Sequence, residues 1–189
     1  VKYAENNYPH LMENISTCRS PMQMFGSVLK EYYKDSDQKV VVAAIMPCTA
    51  KKHEAARDEF KENGIPYIDY VTTTQGLLKM IKEAGIIFAD IEPEAVDMPF
   101  GTGSGAGVIF GVTGGVTEAV IRRVSEDKSA TGLRAIAFTG VRGMDGVKEA
   151  SIASNGSEIK VAIVSGLKNA DNLIKQIEKG EKKYDFIEV

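Results

Sequence analysis

A run of six apolar residues, Val40-Val41-Val42-Ala43-Ala44-Ile45, leads straight into Met46-Pro47-Cys48-Thr49-Ala50-Lys51-Lys52, and no other stretch restricts the fold as tightly. The run reads as a buried strand of a parallel sheet. In open α/β sheets ligands bind in the crevice beyond the strand ends, which is where Cys48 emerges. Two lysines, Lys51 and Lys52, open the following helix, although the helix dipole favours carboxylates there. A local rule broken at a strand end marks a functional position. Cys48 with Lys51 therefore reads as a thiolate or metal ligand beside a cation that faces something anionic. The plainer alternative makes Cys48 a small buried hydrophobe and both lysines solvated surface groups.

With 189 residues, 43% of them hydrophobic, the chain can bury a core as one domain or as one lobe of a larger one. A net charge of −3 and the lack of a basic run argue against nucleic-acid binding. The apolar runs fall short of a membrane span, and no signal-peptide pattern opens the chain, so the cytoplasm is the expected compartment. Cys18 and Cys48 lack CxxC spacing, so they cannot by themselves build a zinc site or an iron–sulfur cage. The chain opens at Val1 in mid-pattern and closes directly after Tyr184 to Val189, which reads as a strand. A piece of a longer protein is expected.

Along the chain, strand and helix patterns alternate. Ser20-Pro21-Met22-Gln23 has the form of a helix start, with Ser20 as N-cap, Pro21 at the first helical position and Gln23 closing a capping box, and the helix is expected to run to about Tyr33. A charged helix is expected around Lys52 to Phe60, a short apolar piece over Pro66 to Val71, and a second capped helix from Thr72-Thr73-Thr74-Gln75 to about Ala84. Gly105 to Val124 reads as one buried helix. Its glycines at 107, 111 and 115 lie along one face and would let another backbone or a bulky ligand approach. Strands are expected at Leu133 to Thr139, at Glu158 to Val164 after a turn at Ser154 to Ser157, and at Tyr184 to Val189, with a helix over Asn169 to Lys179. The alternation predicts an α/β fold with a parallel or mixed sheet sandwiched by helices.

Few side chains carry chemistry by spacing alone. Gly101-Thr102-Gly103-Ser104-Gly105-Ala106-Gly107 satisfies neither G-x-G-x-x-G nor the P-loop pattern, though a helix start after it could hold an anion. His10 and His53 are isolated, and Glu92, Glu94 and Asp97 lack metal-loop spacing. Glu54 and Arg57, three apart, read as a surface pair worth a few tenths of a kcal/mol. Met46 and Phe110 are core residues by default.

Taken together, Met46-Pro47-Cys48-Thr49-Ala50-Lys51-Lys52-His53-Glu54, the stretch Ser16 to Gly26, and Ser104-Gly105-Ala106-Gly107-Val108-Ile109-Phe110-Gly111 onward to Ala119 closely resemble the catalytic domain of iron-only (FeFe) hydrogenases. The resemblance runs essentially end to end, and the M-P-C-x-x-K-K-x-E element carries it most specifically. It implies a lobe of that family's H-domain and its cofactor, the H-cluster: a four-iron four-sulfur cubane joined through a cysteine to a two-iron unit with carbonyl, cyanide and a bridging dithiolate amine. It makes Cys48 a cubane ligand and Lys51 a donor to a cyanide. By the same resemblance Met46 packs beside the two-iron unit, Pro47 and Thr49 shape its pocket, Phe110 and Gly111 line it, Ser20 and Pro21 approach from another side, and Ser16 lies on a proton path.

The family's other cysteine motifs, T-S-C-x-P and M-A-C-x-x-G-C, do not occur between Val1 and Val189. Cys18 stands at a variable position, and Met22 replaces the more usual glutamine. The expected activity of the full-length protein is interconversion of protons and electrons with dihydrogen, with ferredoxin or another electron carrier, NAD-linked or not, as partner. The isolated chain is expected to hold no cluster. Two alternatives stand beside it: a hydrogenase-like sensor or assembly protein without turnover, and a phosphate-binding module using Gly101 to Gly107.

Overall fold

The computed structural model describes residues 1–124, 146–154 and 157–189. The strand expected over Leu133 to Thr139 lies outside the described residues. Two compact units divide the chain, Val1–Glu94 and Ala95–Val189.

In the first unit, α1 (Lys2–Asn7) and a 3-10 turn precede α2 (Pro21–Tyr32), followed by β1 (Ala43–Met46) and α3 (Ala50–Ala55). Two short strands, β2 (Lys61–Glu62) and β3 (Ile65–Pro66), come next, then β4 (Tyr70–Thr73) and α4 (Thr74–Glu83). At the first helix start two of three expectations hold: Ser20 caps α2 by accepting the Gln23 N–H at 3.4 Å and Pro21 takes the first helical position, but the Gln23 side chain does not close the capping box. Thr73 caps α4 from Gly76, one residue beyond where the capping box was expected to begin. The β2–β3 connection is an Asn63-Gly64 turn with both residues at positive φ, the pairing such a hairpin needs.

β1 and β4 pair in parallel, from Ala43 opposite Tyr70 to Met46 opposite Thr73, so the strand expected over Val40 to Ile45 is parallel but shorter. Just before it, the Val42 carbonyl still accepts the Asp69 and Tyr70 N–H groups, and side chains add to that pairing. Asp69 Oδ2 accepts the Val42 N–H and the Lys30 ammonium, both at 2.7 Å, and Lys30 also donates to the Val40 carbonyl. The expected burial of the whole run is also corrected, since Val42 and Ala44 are buried while Val41 and Ile45 are half exposed. Alternation of this kind is what a strand covered on one face shows. The covered face packs with Met22 and Ile68.

The charged helix expected from Lys52 to Phe60 stops at Ala55, and a 3-10 turn spans Asp58–Phe60. Arg57 between them is extended, and its guanidinium is held by Glu5 and Glu59. The expected Glu54–Arg57 pair is therefore replaced by partners on either side.

The second unit holds α5 (Gly105–Ile109), α6 (Gly115–Val124), β5 (Val147–Ser154), β6 (Ser157–Val164), α7 (Leu167–Glu178) and β7 (Phe186–Glu188). The sheet order is β5-β6-β7, with β5 antiparallel and β7 parallel to β6. Successive β6 residues point to opposite faces. Val161 and Ile163 meet Ile121 of α6, whereas Ala162 and Val164 meet Ala170 and Leu173 of α7. A mixed sheet sandwiched by helices is thus the architecture of this unit.

The single glycine-rich helix expected over Gly105 to Val124 is two helices. Gly114 takes φ +83°, which no helix interior accommodates, and the Glu188 carboxylate accepts the Gly114 N–H at 2.7 Å, the Thr117 N–H at 2.8 Å and the Thr117 hydroxyl. A carboxylate at a helix N-terminus satisfies unpaired N–H groups and opposes the dipole. Glu188→Ala is expected to lower stability by about 2–3 kcal/mol, read as a drop in urea midpoint. A midpoint unchanged by the substitution would remove Glu188 from the account of why α6 starts here. The glycine face also differs from expectation: a Cβ at Gly111 would meet nothing within 4 Å and one at Gly107 only Ser104 Oγ at 3.8 Å. At Gly115 alone of the three it would strike backbone, 1.7 Å from the Ile109 carbonyl oxygen.

Candidate functional site

Met46 closes β1 and is partly buried against the Met22 cluster, so the chain turns outward at Pro47 and leaves Cys48 exposed with a free thiol. Thr49 precedes α3 with αR dihedrals and makes no side-chain cap. Lys51, in the first turn of α3, has its Nζ 2.5 Å from Glu54 Oε2. Lys51 is therefore not an unpaired cation set against the dipole, as its position alone implies, because a carboxylate three residues on offsets it. Two of the three ammonium N–H groups remain without an acceptor among the described residues.

The second wall is the start of α2. The Ser20 hydroxyl donates to Glu54 Oε1 in a short hydrogen bond while its oxygen accepts from Gln23. Ser16 Oγ accepts the Cys18 N–H at 3.1 Å. Ser16, Ser20, Lys51 and Glu54 line one cleft of about 880 Å³, whose rim includes Glu5 and Arg57. The Arg57 guanidinium, by hydrogen bonding, holds the Glu5 carboxyl below the usual glutamate range. Cys18 lines this cleft and Cys48 does not. Ser16, Ser20 and Lys51 are thus brought together, Cys48 stands on the adjoining loop, and Pro21 begins α2 beside Ser20.

Phe110 and Gly111 belong to the second unit, on the link between α5 and α6, and Phe110 is 40% exposed instead of filling a core. The run Gly101 to Gly107 ends in a five-residue helix capped by Ser104 on the Gly107 N–H. His10 and His53 are exposed, as expected of isolated histidines.

Two residues of the site carry no signal in the sequence pattern. Glu54 was matched with Arg57, although Lys51 stands equally three residues away on the other side. Gln23, placed by its spacing to close a capping box, instead has a fully buried side chain with neither amide atom bonded. No spacing rule signals that. Buried unpaired amides are rare because each costs about 1–3 kcal/mol.

A free exposed thiol at a strand end fits one corner of an iron–sulfur cluster, and an ammonium with two open N–H groups fits an anionic ligand. A cubane takes four such ligands. Among the described residues no group of three or more His, Cys, Asp or Glu side chains is gathered to hold a metal. No helix among them is long and apolar enough to cross a membrane.

The profile of the family described as "Iron only hydrogenase large subunit, C-terminal domain" matches residues 1–189, and the chain belongs to that family. The NADP-reducing hydrogenase subunit HndD of Solidesulfovibrio fructosivorans is 44% identical over 96% of this chain and 32% of its own length. Cytosolic iron-sulfur assembly component 3 of Bos taurus is 29% identical over 100% of this chain and 42% of its own. Among solved structures, a variant of apo FeFe hydrogenase HydA1 from Chlamydomonas reinhardtii superposes with a TM-score of 0.72 at 32% identity, covering 98% of this chain and 55% of that one. The chain therefore spans about a third to a half of the proteins it matches.

Proposed function

We propose that the full-length protein is an iron-only hydrogenase that reversibly converts protons and electrons to dihydrogen, and that this chain supplies part of its H-cluster site. The observation that carries the reading is the free Cys48 thiol at the end of β1, followed within one helical turn by Lys51 with two open N–H groups. In the family the bound cluster supplies the redox chemistry and the acid–base amine. The chain's own residues hold and shield it. Cys48 ligates the cubane, and the remaining thiolates come from sequence outside these 189 residues. Lys51 donates to a cyanide, Ser16 passes protons, and Met46, Pro47, Thr49, Ser20 and Pro21 shape the surroundings of the cluster on this unit. A ferredoxin or another electron carrier is the partner, and the cytoplasm the compartment. The higher identity to a hydrogenase subunit than to an assembly component supports turnover over assembly. The short exposed helix after Gly101 to Gly107 lends no support to the phosphate-binding alternative.

Hydrogen evolution by the anaerobically matured full-length protein with a reduced electron carrier tests the proposal, together with infrared bands of bound cyanide. Absence of both from a protein loaded with iron and sulfide would refute it. The isolated 189-residue chain is expected to retain iron and acid-labile sulfide only well below one cubane per chain after reconstitution, because a cubane needs its full set of thiolates. A stable, stoichiometric cubane on that chain would contradict the expectation.

A further inference from the structure

We infer that Glu54 is a positioning residue that clamps Lys51 to the start of α2. The observations are local. Glu54 is only 22% exposed, and its two carboxylate oxygens serve different elements: Oε2 takes the Lys51 ammonium of its own helix at 2.5 Å, and Oε1 takes the Ser20 hydroxyl across the cleft. Ser20 in turn caps α2 through the Gln23 N–H, so one unbroken set of hydrogen bonds ties the first turn of α2 to the first turn of α3.

An exposed i,i+3 ion pair contributes little and leaves a lysine free to sample many rotamers. Glu54 is different because a third group, on another element, fixes its own orientation. Charge-assisted bonds to both oxygens are stronger than neutral ones and demand a defined geometry. A lysine held by one N–H through such a carboxylate presents its other two in a fixed direction. That is how a ligand-facing cation is oriented before its ligand arrives.

The clamp stands on the distances alone. The identity of the anion that Lys51 meets, a cyanide of the cluster, rests on the hydrogenase reading above. Amine acylation of the metal-free full-length protein, read by peptide mass spectrometry, tests the clamp. Glu54→Gln is expected to speed labelling of Lys51 about three- to tenfold, because the amide loses the charge and turns one of the two accepting oxygen positions into a donor NH2. Lys30, held by Asp69, and exposed Lys52 serve as references and are expected to keep their wild-type rates. Equal Lys51 labelling in wild type and Glu54→Gln, with Lys30 still protected, overturns the inference.

Should Lys30 also lose protection, so that the fold is lost, Ser20→Gly decides instead. Glycine remains an acceptable N-cap while the hydroxyl donor is removed. A Lys51 rate raised about twofold with Lys30 protected supports the clamp; an unchanged Lys51 rate overturns it. In the matured full-length protein the cyanide bands are expected to shift in Glu54→Gln and to shift less in Ser20→Gly. Unshifted bands in Glu54→Gln overturn the positioning role. Absence of cyanide bands from the wild type would instead defeat the hydrogenase reading, and the labelling rates would still judge the clamp.

Discussion

In the full-length protein, Cys48→Ala is expected to abolish cubane assembly, with iron and acid-labile sulfide falling to background and the cluster's electron paramagnetic resonance signal lost, whereas Cys18→Ala keeps wild-type content. Both thiols are free and exposed, so accessibility does not separate them. Position does. Cys48 follows β1 directly, where the parallel pairing with β4 fixes the backbone up to Met46, two residues before the thiol. A ligand needs that fixity, because small displacements of a first coordinating atom are costly. Cys18 lies in an irregular stretch before α2, fastened locally by its N–H to Ser16. Cys18 lines the 880 Å³ cleft and Cys48 does not, so a purely volumetric reading would choose the opposite thiol. Equal loss of iron in the two variants would show that the strand-end argument selects the wrong residue.

The features legible in the sequence were those written in neighbouring residues. The Ser20 cap, the existence of α4 (though its cap falls at Thr73 and not at Thr72), the parallel strand before Cys48 and the β6 run follow from local patterns. What the sequence concealed was set by partners far along the chain. α6 begins at Gly115 because Glu188, more than seventy residues later, caps it, and no propensity scale contains that contact. The stretch Val147–Ser154 is a full strand, yet Lys148, Glu149 and Ser151 dilute its apolar pattern, and pairing with β6 decides its conformation. Lys51 looked like a broken rule because its offset depends on which of two equidistant partners Glu54 prefers. Ser20, thirty-four residues earlier, holds one Glu54 oxygen and so influences that preference. The bonding that orders the residues after Cys48 is not written in neighbouring positions.

Gly26→Val is expected to lower stability by about 3 kcal/mol and to reduce cluster occupancy in the full-length protein. A Cβ at Gly26 would lie 2.8 Å from the Tyr67 carbonyl oxygen and 2.5 Å from Ile68 Cδ1. The Ile68 methyl could move aside, but the Tyr67 carbonyl belongs to the buried backbone between β3 and β4, so α2 must retreat as a body. Its N-terminus carries Ser20, and its Met22 packs with Val42 and Ala44 on the covered face of β1, so the shift reaches both the core and the Glu54 contact. Replacing a helical glycine with β-branched valine recovers only a few tenths of a kcal/mol of helix propensity, roughly the difference between two poor helix formers, so the net loss reports the collision. Gly105→Ala is the control: a Cβ there meets nothing within 4 Å, and at the first residue of α5 no destabilisation and a gain of at most about 1 kcal/mol are expected. Urea midpoints of the two variants, with iron content of the matured protein, make the comparison. If Gly26→Val melted with the wild type, α2 would not be pressed against residues 67 and 68. The close packing that holds Ser20 opposite Lys51 would then have to be replaced by the Glu54 bonds alone.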